Sequence, residues 1–323
     1  MPTRLLRYSE IDLAAWDACV SSAQQVVPYA CSWWLQATAG RWDALVELEA
    51  GTGRYLAVWP LPVKWRPWGK EVYQPPFTQQ LGILARPEVS TSLLLTPDAG
   101  KLLARYPRFY TQLNDDNGGE AEVCPFALPP ARGTVVEKRQ TYHLLLGKPY
   151  EALRAAYAPD YRRRLRLNEA APTPLAARKA DTAEPLLQLF QETKGPEAGL
   201  QRRHYAKLRH LLAALQRRQV LEIREVRQAG TGALLAGALF VRYRTRLIYL
   251  FAAASPEGKK AAAPLILLDD VIQRYAGTPG LILDFEGGMI PSIARFFANF
   301  GAGPVPYTAL SFTQRPWYLK WMR

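Results

Sequence analysis

The segment Asp284-Phe285-Glu286-Gly287-Gly288 follows the apolar run Leu281 to Leu283, which reads as a β-strand ending in acids. Side chains alternate across a strand, so Asp284 and Glu286 are expected on one face and Phe285 on the other. Paired carboxylates raise one pKa towards neutrality, which suits general-base removal of a proton from a nucleophile, and two glycines leave the approach open. Glu286 is the candidate base. Asp284 is either its partner or an acceptor for backbone N–H groups around Gly287 and Gly288, and Tyr307 is the alternative proton acceptor. Two further groups have recognition chemistry. Arg162, Arg163, Arg164 and Arg166 are guanidinium forks suited to phosphate or RNA, with Arg162 and Arg166 on one helical face. Tyr73, Gln74, Phe77, Gln79 and Gln80, interleaved with Pro75 and Pro76, are too polar for a core strand and are expected to line a substrate cleft between the halves. Arg295, on a helix after Met289, is placed to meet a substrate carboxylate.

The elements that must hold these residues are unevenly charged. Of the net +13, residues 151–323 contribute +12 and residues 1–150 only +1, and arginine outnumbers lysine 30 to 11. That sign favours an anionic partner such as a phosphorylated cofactor or RNA. The arginine cluster reads as a short helix capped by Asp160 and stopped before Pro172, and residues 202–218 read as an amphipathic helix. Cys19, Cys31 and Cys124 have no metal-binding spacing and read as small core hydrophobes, and the three histidines add no ligand motif. No metal is expected. No apolar run approaches the roughly 20 residues of a membrane span, and Glu10, Asp12 and Asp17 interrupt any leader-like region, so a soluble cytoplasmic protein is expected. P-loop and dinucleotide fingerprints are absent.

The chain repeats itself. Ala50-Gly51-Thr52-Gly53 and Ala229-Gly230-Thr231-Gly232 each precede an apolar strand and read as hairpin turns, and the surrounding order of helices and strands recurs at an offset of about 170 to 180 residues. The fold class is therefore α/β (α+β), two copies of one unit, each a mostly antiparallel mixed sheet flanked by helices, with domains at 1–140 and 141–323. The proline-broken strand Trp-Pro-Leu-Pro-Val-Lys-Trp-Arg-Pro-Trp (residues 59–68) is expected at a sheet edge. The C-terminal Trp-Tyr-Leu-Lys-Trp-Met-Arg reads as a docked tail.

Read together, Arg162 to Arg166, the helix Leu-Gln-Arg-Arg-His-Tyr-Ala-Lys-Leu-Arg-His-Leu-Leu-Ala-Ala-Leu, the hairpin through residues 234–255 and Leu-Ile-Leu-Asp-Phe-Glu-Gly-Gly resemble the FemAB-like branch of the GNAT superfamily, with a BioF2-like acetyltransferase domain. The resemblance implies tandem GNAT-like domains, the first degenerate and the second carrying the active site. It implies an N-acyltransferase moving an acyl group from an acyl-CoA such as acetyl-CoA, or from an acyl-carrier thioester, to a small-molecule or peptide amine. It further implies oxyanion donors among the amides of Phe251 to Ala254 where two strands splay, and a pyrophosphate loop at Ser255, Gly258, Lys259 and Lys260, next to Ala253 and Ala254. This loop retains one glycine and lacks Gly-x-Gly spacing, and Phe297 stands where Fem-type transferases often carry lysine. Two alternatives stay open: an aminoacyl-tRNA-dependent Fem-type transferase, and a catalytically degenerate scaffold binding nucleic acid or protein.

Overall fold

The computed structural model describes residues 3–94, 96–117 and 134–313. Cys124, its proline-rich surroundings and the C-terminal Trp-Tyr-Leu-Lys-Trp-Met-Arg lie outside the described residues. The described chain divides into two compact units, one from Met1–Arg139 with Pro306–Arg323 and one from Gln140–Val305.

The elements follow in chain order: β1 (Thr3–Leu6), α1 (Leu13–Ser22), α2 (Ser32–Thr38), β2 (Trp42–Leu48), β3 (Tyr55–Arg66), β4 (Gly69–Val72), β5 (Leu84–Ala85), α3 (Pro97–Leu103), β6 (Arg108–Gln112) and β7 (Val135–Leu145). Next come α4 (Tyr150–Ala155), α5 (Pro159–Glu169), β8 (Ala177–Lys179), α6 (Glu184–Thr193), α7 (Gly195–Ala198), α8 (Arg202–Arg217), β9 (Leu221–Arg227), β10 (Leu234–Tyr243), β11 (Arg246–Ala254), α9 (Pro256–Lys260), α10 (Ala263–Tyr275), β12 (Ile282–Asp284), α11 (Pro291–Ala298) and β13 (Gly303–Thr313).

In the first unit the sheet runs β1-β2-β3-β4-β6-β13, antiparallel except for β4 beside β6. One face buries Leu45, Trp59, Phe109 and Phe312 against Ala99 and Leu103 of α3, with the Phe109 and Phe312 rings stacked at 5.0 Å. Trp16, Cys19 and Trp34 are buried on α1 and α2, and Cys31 is buried beside them in sequence. Helix α1 starts where Asp12 accepts the amides of Ala14 and Ala15 at 2.9 and 3.0 Å.

The prolines of β3 do not place it at an edge. The strand is central, with β2 on one side and β5 and β4 on the other. Its ladder with β5 covers Ala57 and Val58 and that with β4 starts at Val63, which leaves a notch between them. The Pro62 carbonyl accepts Tyr73 N on that side at 3.0 Å, so the ring nitrogens of Pro62 and Pro60, two residues apart, also face the notch, where no ladder donor is needed.

The second unit has the order β7-β12-β11-β10-β9-β8, antiparallel except for β11 beside β12. Its core gathers Leu144, Phe240, Leu247, Leu268, Phe285, Phe297 and Phe300. Helix α8 buries Leu208, Leu211, Leu212 and Leu215 at the spacing of one helical face.

Strands β2, β3, β4, β6 and β13 thus match β9, β10, β11, β12 and β7 in order and direction. The two hairpin turns match in detail. Gly51, Gly53, Gly230 and Gly232 all take left-handed φ, at 82°, 71°, 81° and 69°, which glycine adopts without penalty. Glu49 N reaches Arg54 O and Gln228 N reaches Ala233 O, each at 2.9 Å. The fold is tandem, mixed α/β and mostly antiparallel.

Candidate active site

Strand β12 is short because its sequence stops supporting a strand after Asp284. The ladder pairs Arg246↔Ile282, Leu247↔Leu283 and Ile248↔Asp284 on one side, and Leu283↔Leu144 and Asp284↔His143 on the other. Strand β11 continues from Tyr249 to Ala254 past the end of this ladder, still paired with β10. The β11–β12 ladder therefore ends at Asp284, and the residues after it stand at the mouth of this gap in the pairing.

Asp284, 4% exposed, is the anchor of that mouth. Its Oδ1 accepts Thr141 Oγ1 at 2.8 Å and the backbone N–H of Glu286 at 3.0 Å. Its Oδ2 lies 3.3 Å from His143 Nε2 and 3.4 Å from Arg246 Nη1, and Arg246 Nη1 lies 2.8 Å from His143 Nε2. Burial pushes the carboxyl up, but His143, Arg246 and the Glu286 amide outweigh it and hold the pKa down to about 2. Asp284 is an anion at any neutral pH.

The expected alternation of the two acids does not apply, because Glu286 lies beyond the strand with φ of +51°. A left-handed backbone at a non-glycine residue is uncommon and persists where surroundings impose it. Here the bond from its amide to Asp284 Oδ1 does so. The Glu286 side chain is half-buried, and desolvation raises its pKa well above the ordinary glutamate range. The cause is burial and not a neighbouring carboxylate. The glycines that follow are needed for close packing. A Cβ on Gly287 would lie 3.0 Å from the Phe297 ring, and one on Gly288 would lie 2.9 Å from the Gln140 carbonyl oxygen and 3.0 Å from the Tyr142 ring. Gln140 Nε2 also donates to Gly288 O at 2.9 Å.

Ala253 and Ala254 close β11 opposite Gly237 and Ala236. Ser255 caps α9, its Oγ accepting Gly258 N at 2.9 Å. A Cβ on Gly258 would sit 1.9 Å from the Leu235 carbonyl oxygen, so this glycine serves backbone contact and its amide is engaged. Lys259 and Lys260 are exposed. Lys194, at the end of α6, has its pKa lowered by burial and by the like charge of Lys259, so two cations share this corner. Arg295 is exposed on α11, whose other face buries Ala294 and Phe297.

Helix α5 is capped at Ala158, with Pro159 at its first position, rather than at Asp160. Asp160 instead pairs with Arg163 at 2.9 Å and Arg164 at 2.7 Å. Arg162 and Arg166 share one face, as spaced, and line an open cavity of about 590 Å³ with Tyr150, Arg154 and Glu169.

The remaining candidates belong to the first unit. Tyr307 is buried, with its hydroxyl 3.2 Å from Gln112 Oε1. Gln74 donates to Thr78 O at 2.7 Å and accepts Gln112 N at 3.0 Å. Phe77, at φ +57°, offers its carbonyl to Trp34 Nε1 at 3.1 Å, and Gln80 Oε1 accepts Asp115 N at 3.3 Å. Lys64 lies over the Tyr73 ring at 4.9 Å. Gln79 Oε1 and Gln80 Nε2 are buried without a hydrogen-bond partner among the described residues.

Sequence reasoning missed Thr141, His143 and Arg246. The available signal was an arginine opening the apolar strand Arg246–Ala254 and a histidine inside the alternating run of β7, both at a level that pairing with Asp284 would explain.

Residues 155–289 match the family model described as Acetyltransferase (GNAT) domain. No protein of curated function has a sequence that matches this one. The fold is similar to the crystal structure of FemX, at 13% identity over 95% of this chain and 97% of that one with a TM-score of 0.67. It is also similar to a tandem GNAT protein from the clavulanic acid biosynthesis pathway, at 13% identity over 98% and 99% with a TM-score of 0.56. A third likeness is to the C-terminal domain of a putative lysylphosphatidylglycerol synthetase from Agrobacterium fabrum, at 11% identity over 94% and 92% with a TM-score of 0.51. Residues 155–289 thus carry a GNAT-type acetyltransferase domain, and along nearly the whole chain the fold is similar to those of FemX and of a tandem GNAT protein.

Proposed function

We propose that the protein is an N-acyltransferase that moves an acyl group from an acyl-CoA or acyl-carrier thioester to an amine, with Glu286 as general base. One observation carries this reading: a carboxyl of raised pKa is fixed, through its own amide and Asp284, at the gap where the β11–β12 ladder ends. The donor thioester enters that gap and the amides of Phe251 to Ala254 polarise its carbonyl. Glu286 takes the proton as the amine nitrogen attacks. The tetrahedral oxyanion then collapses, the C–S bond breaks and the thiolate leaves. Phosphates of the donor fall to Lys259 and Lys260 at the end of α9, with Lys194 adding charge. Asp284, His143 and Arg246 position Glu286 and do not touch the reacting atoms.

A specific observation also supports an aminoacyl-tRNA donor. Arg162 and Arg166 present unsequestered guanidinium groups on one cavity, a suitable contact for nucleic-acid phosphates, whereas Arg163 and Arg164 are occupied by Asp160. The two donors separate by thermal shift with acetyl-CoA, a long-chain acyl-CoA and charged tRNA, followed by single-turnover transfer from whichever raises the melting temperature. The thioester reading expects a rise with an acyl-CoA and a fall of about 10²- to 10⁴-fold in transfer for Glu286→Gln. Stabilisation by tRNA alone, lost in Arg162→Gln and Arg166→Gln, replaces it with the tRNA-dependent reading. Transfer unchanged in Glu286→Gln removes the base assignment under either donor.

A further inference from the structure

The first unit has an open cavity of about 940 Å³, within the size range of small-molecule sites, that the acyl-transfer reading does not use. Its acids are already engaged. Asp43, buried at the base, accepts Lys70 Nζ at 2.9 and 2.8 Å and Tyr106 OH at 2.7 Å. Glu10 accepts the backbone amide of Arg7 at 2.7 Å. Arg7, Arg41 and Arg105, from three separate loops after β1, before β2 and after α3, are exposed and line the same hollow. Among the described residues none of the three has a carboxylate within ion-pair distance. With Asp43 paired to Lys70, three guanidinium groups face the single carboxylate of Glu10, and the hollow is net positive.

One wall is aromatic. Trp65 is 76% exposed, while Trp16, Trp34, Trp42 and Trp59 of the same unit are completely buried. Lys70, its cross-strand partner on β4, holds its Nζ 5.8 Å from the indole ring. An indole left in water beside converging cations offers a π-face for stacking at the edge of an anion site. We infer that this cavity binds a nucleoside phosphate, its base against Trp65 and its phosphates on Arg7, Arg41 and Arg105. Guanidinium forks match phosphate oxygens two at a time, and the indole tolerates any base, so the geometry selects the ligand class without choosing purine or pyrimidine.

The experiment is calorimetric titration of the full chain with ADP, UDP and pyrophosphate at low salt, for the wild type, Trp65→Ala, Arg41→Gln and Arg105→Gln. All three side chains are exposed, so unchanged melting temperatures confirm intact folding. The expected result is saturable binding of a nucleoside diphosphate, weakened about 5- to 100-fold in Trp65→Ala, as for the loss of one stacked base, and at least 10-fold in each arginine variant. Pyrophosphate is expected to bind more weakly than the nucleotide and to be indifferent to Trp65→Ala. Acetyl-CoA binding that survives Trp65→Ala separates this cavity from the donor site. Absence of saturable ADP and UDP binding overturns the inference, as does ADP affinity that none of the variants changes. Pyrophosphate binding as tight as ADP would reduce the hollow to a plain anion site. Binding of oligo(U) through these residues, without nucleotide binding, would replace the nucleotide with single-stranded RNA.

Discussion

Glu286 combines a backbone conformation that side chains avoid with surroundings that disfavour its charge. Both effects give measurable consequences. A carboxyl whose folded pKa is raised favours the folded state at low pH and loses that contribution as pH rises through the raised value. Glu286→Gln should therefore match the wild type in melting temperature near pH 4 and exceed it at pH 8, the difference growing as the wild-type carboxyl ionises. For the same reason the acid limb of the transfer rate should lie above the usual glutamate range, and a limb at the ordinary value would contradict the burial argument. Asp284 has the opposite sign. Its pKa, brought from 3.8 to about 2, contributes on the order of 2 kcal/mol at pH 5 and above, lost as pH falls from about 4 towards 2. Asp284→Asn strands Arg246 and His143 beside a neutral group and should cost on the order of 3 kcal/mol in urea titration at pH 7, a difference that shrinks at pH 3. The acids were legible in the sequence as a pair at a strand end. Their different roles were not, because the reading by alternation carried the strand through Glu286, whereas a hydrogen bond from one acid turns the backbone of the other.

At the scale of elements, spacing gave the helices well and the strands less evenly. Leu208, Leu211, Leu212 and Leu215 announce the buried face of α8, and paired Gly-Thr-Gly turns announce both hairpins. Strand β3 misled because prolines were judged by number and not by the side their nitrogens face. Gly258 shows a further limit. In the sequence it is the last glycine of a worn phosphate loop; in the fold it is where α9 meets the Leu235 carbonyl. Gly258→Ala places a methyl against backbone that cannot give, and should destabilise the protein by about 1 to 3 kcal/mol, measured as a lower denaturation midpoint. Lys259→Gln with Lys260→Gln keeps that contact, so it is the informative test of phosphate binding and should weaken donor affinity with the melting temperature unchanged.

At the scale of the whole molecule, the internal repeat was visible because both copies use the same glycine turn, and the second half's excess charge pointed to the unit in which the GNAT domain is found. What the repeat could not reveal is how each copy obtains its last strand. In the second unit β12 pairs with β7, which precedes it, while in the first β6 pairs with β13, from the end of the described chain, through Ala309↔Gln112 to Thr313↔Arg108. A fragment spanning 140–305 keeps its core and should melt cooperatively on its own by circular dichroism. A chain cut after Val305 should lose the Phe109–Phe312 stack, bind a hydrophobic dye and unfold in two steps. During synthesis this arrangement imposes a waiting time. As the ribosome delivers the chain from its N-terminus, β6 emerges early with an open hydrogen-bonding edge and the Phe109 side chain uncovered, and it stays so until the entire second unit has been translated and β13 arrives. The nascent first unit is the stage most exposed to aggregation and to chaperones, and the second unit, although made later, is the first able to finish folding.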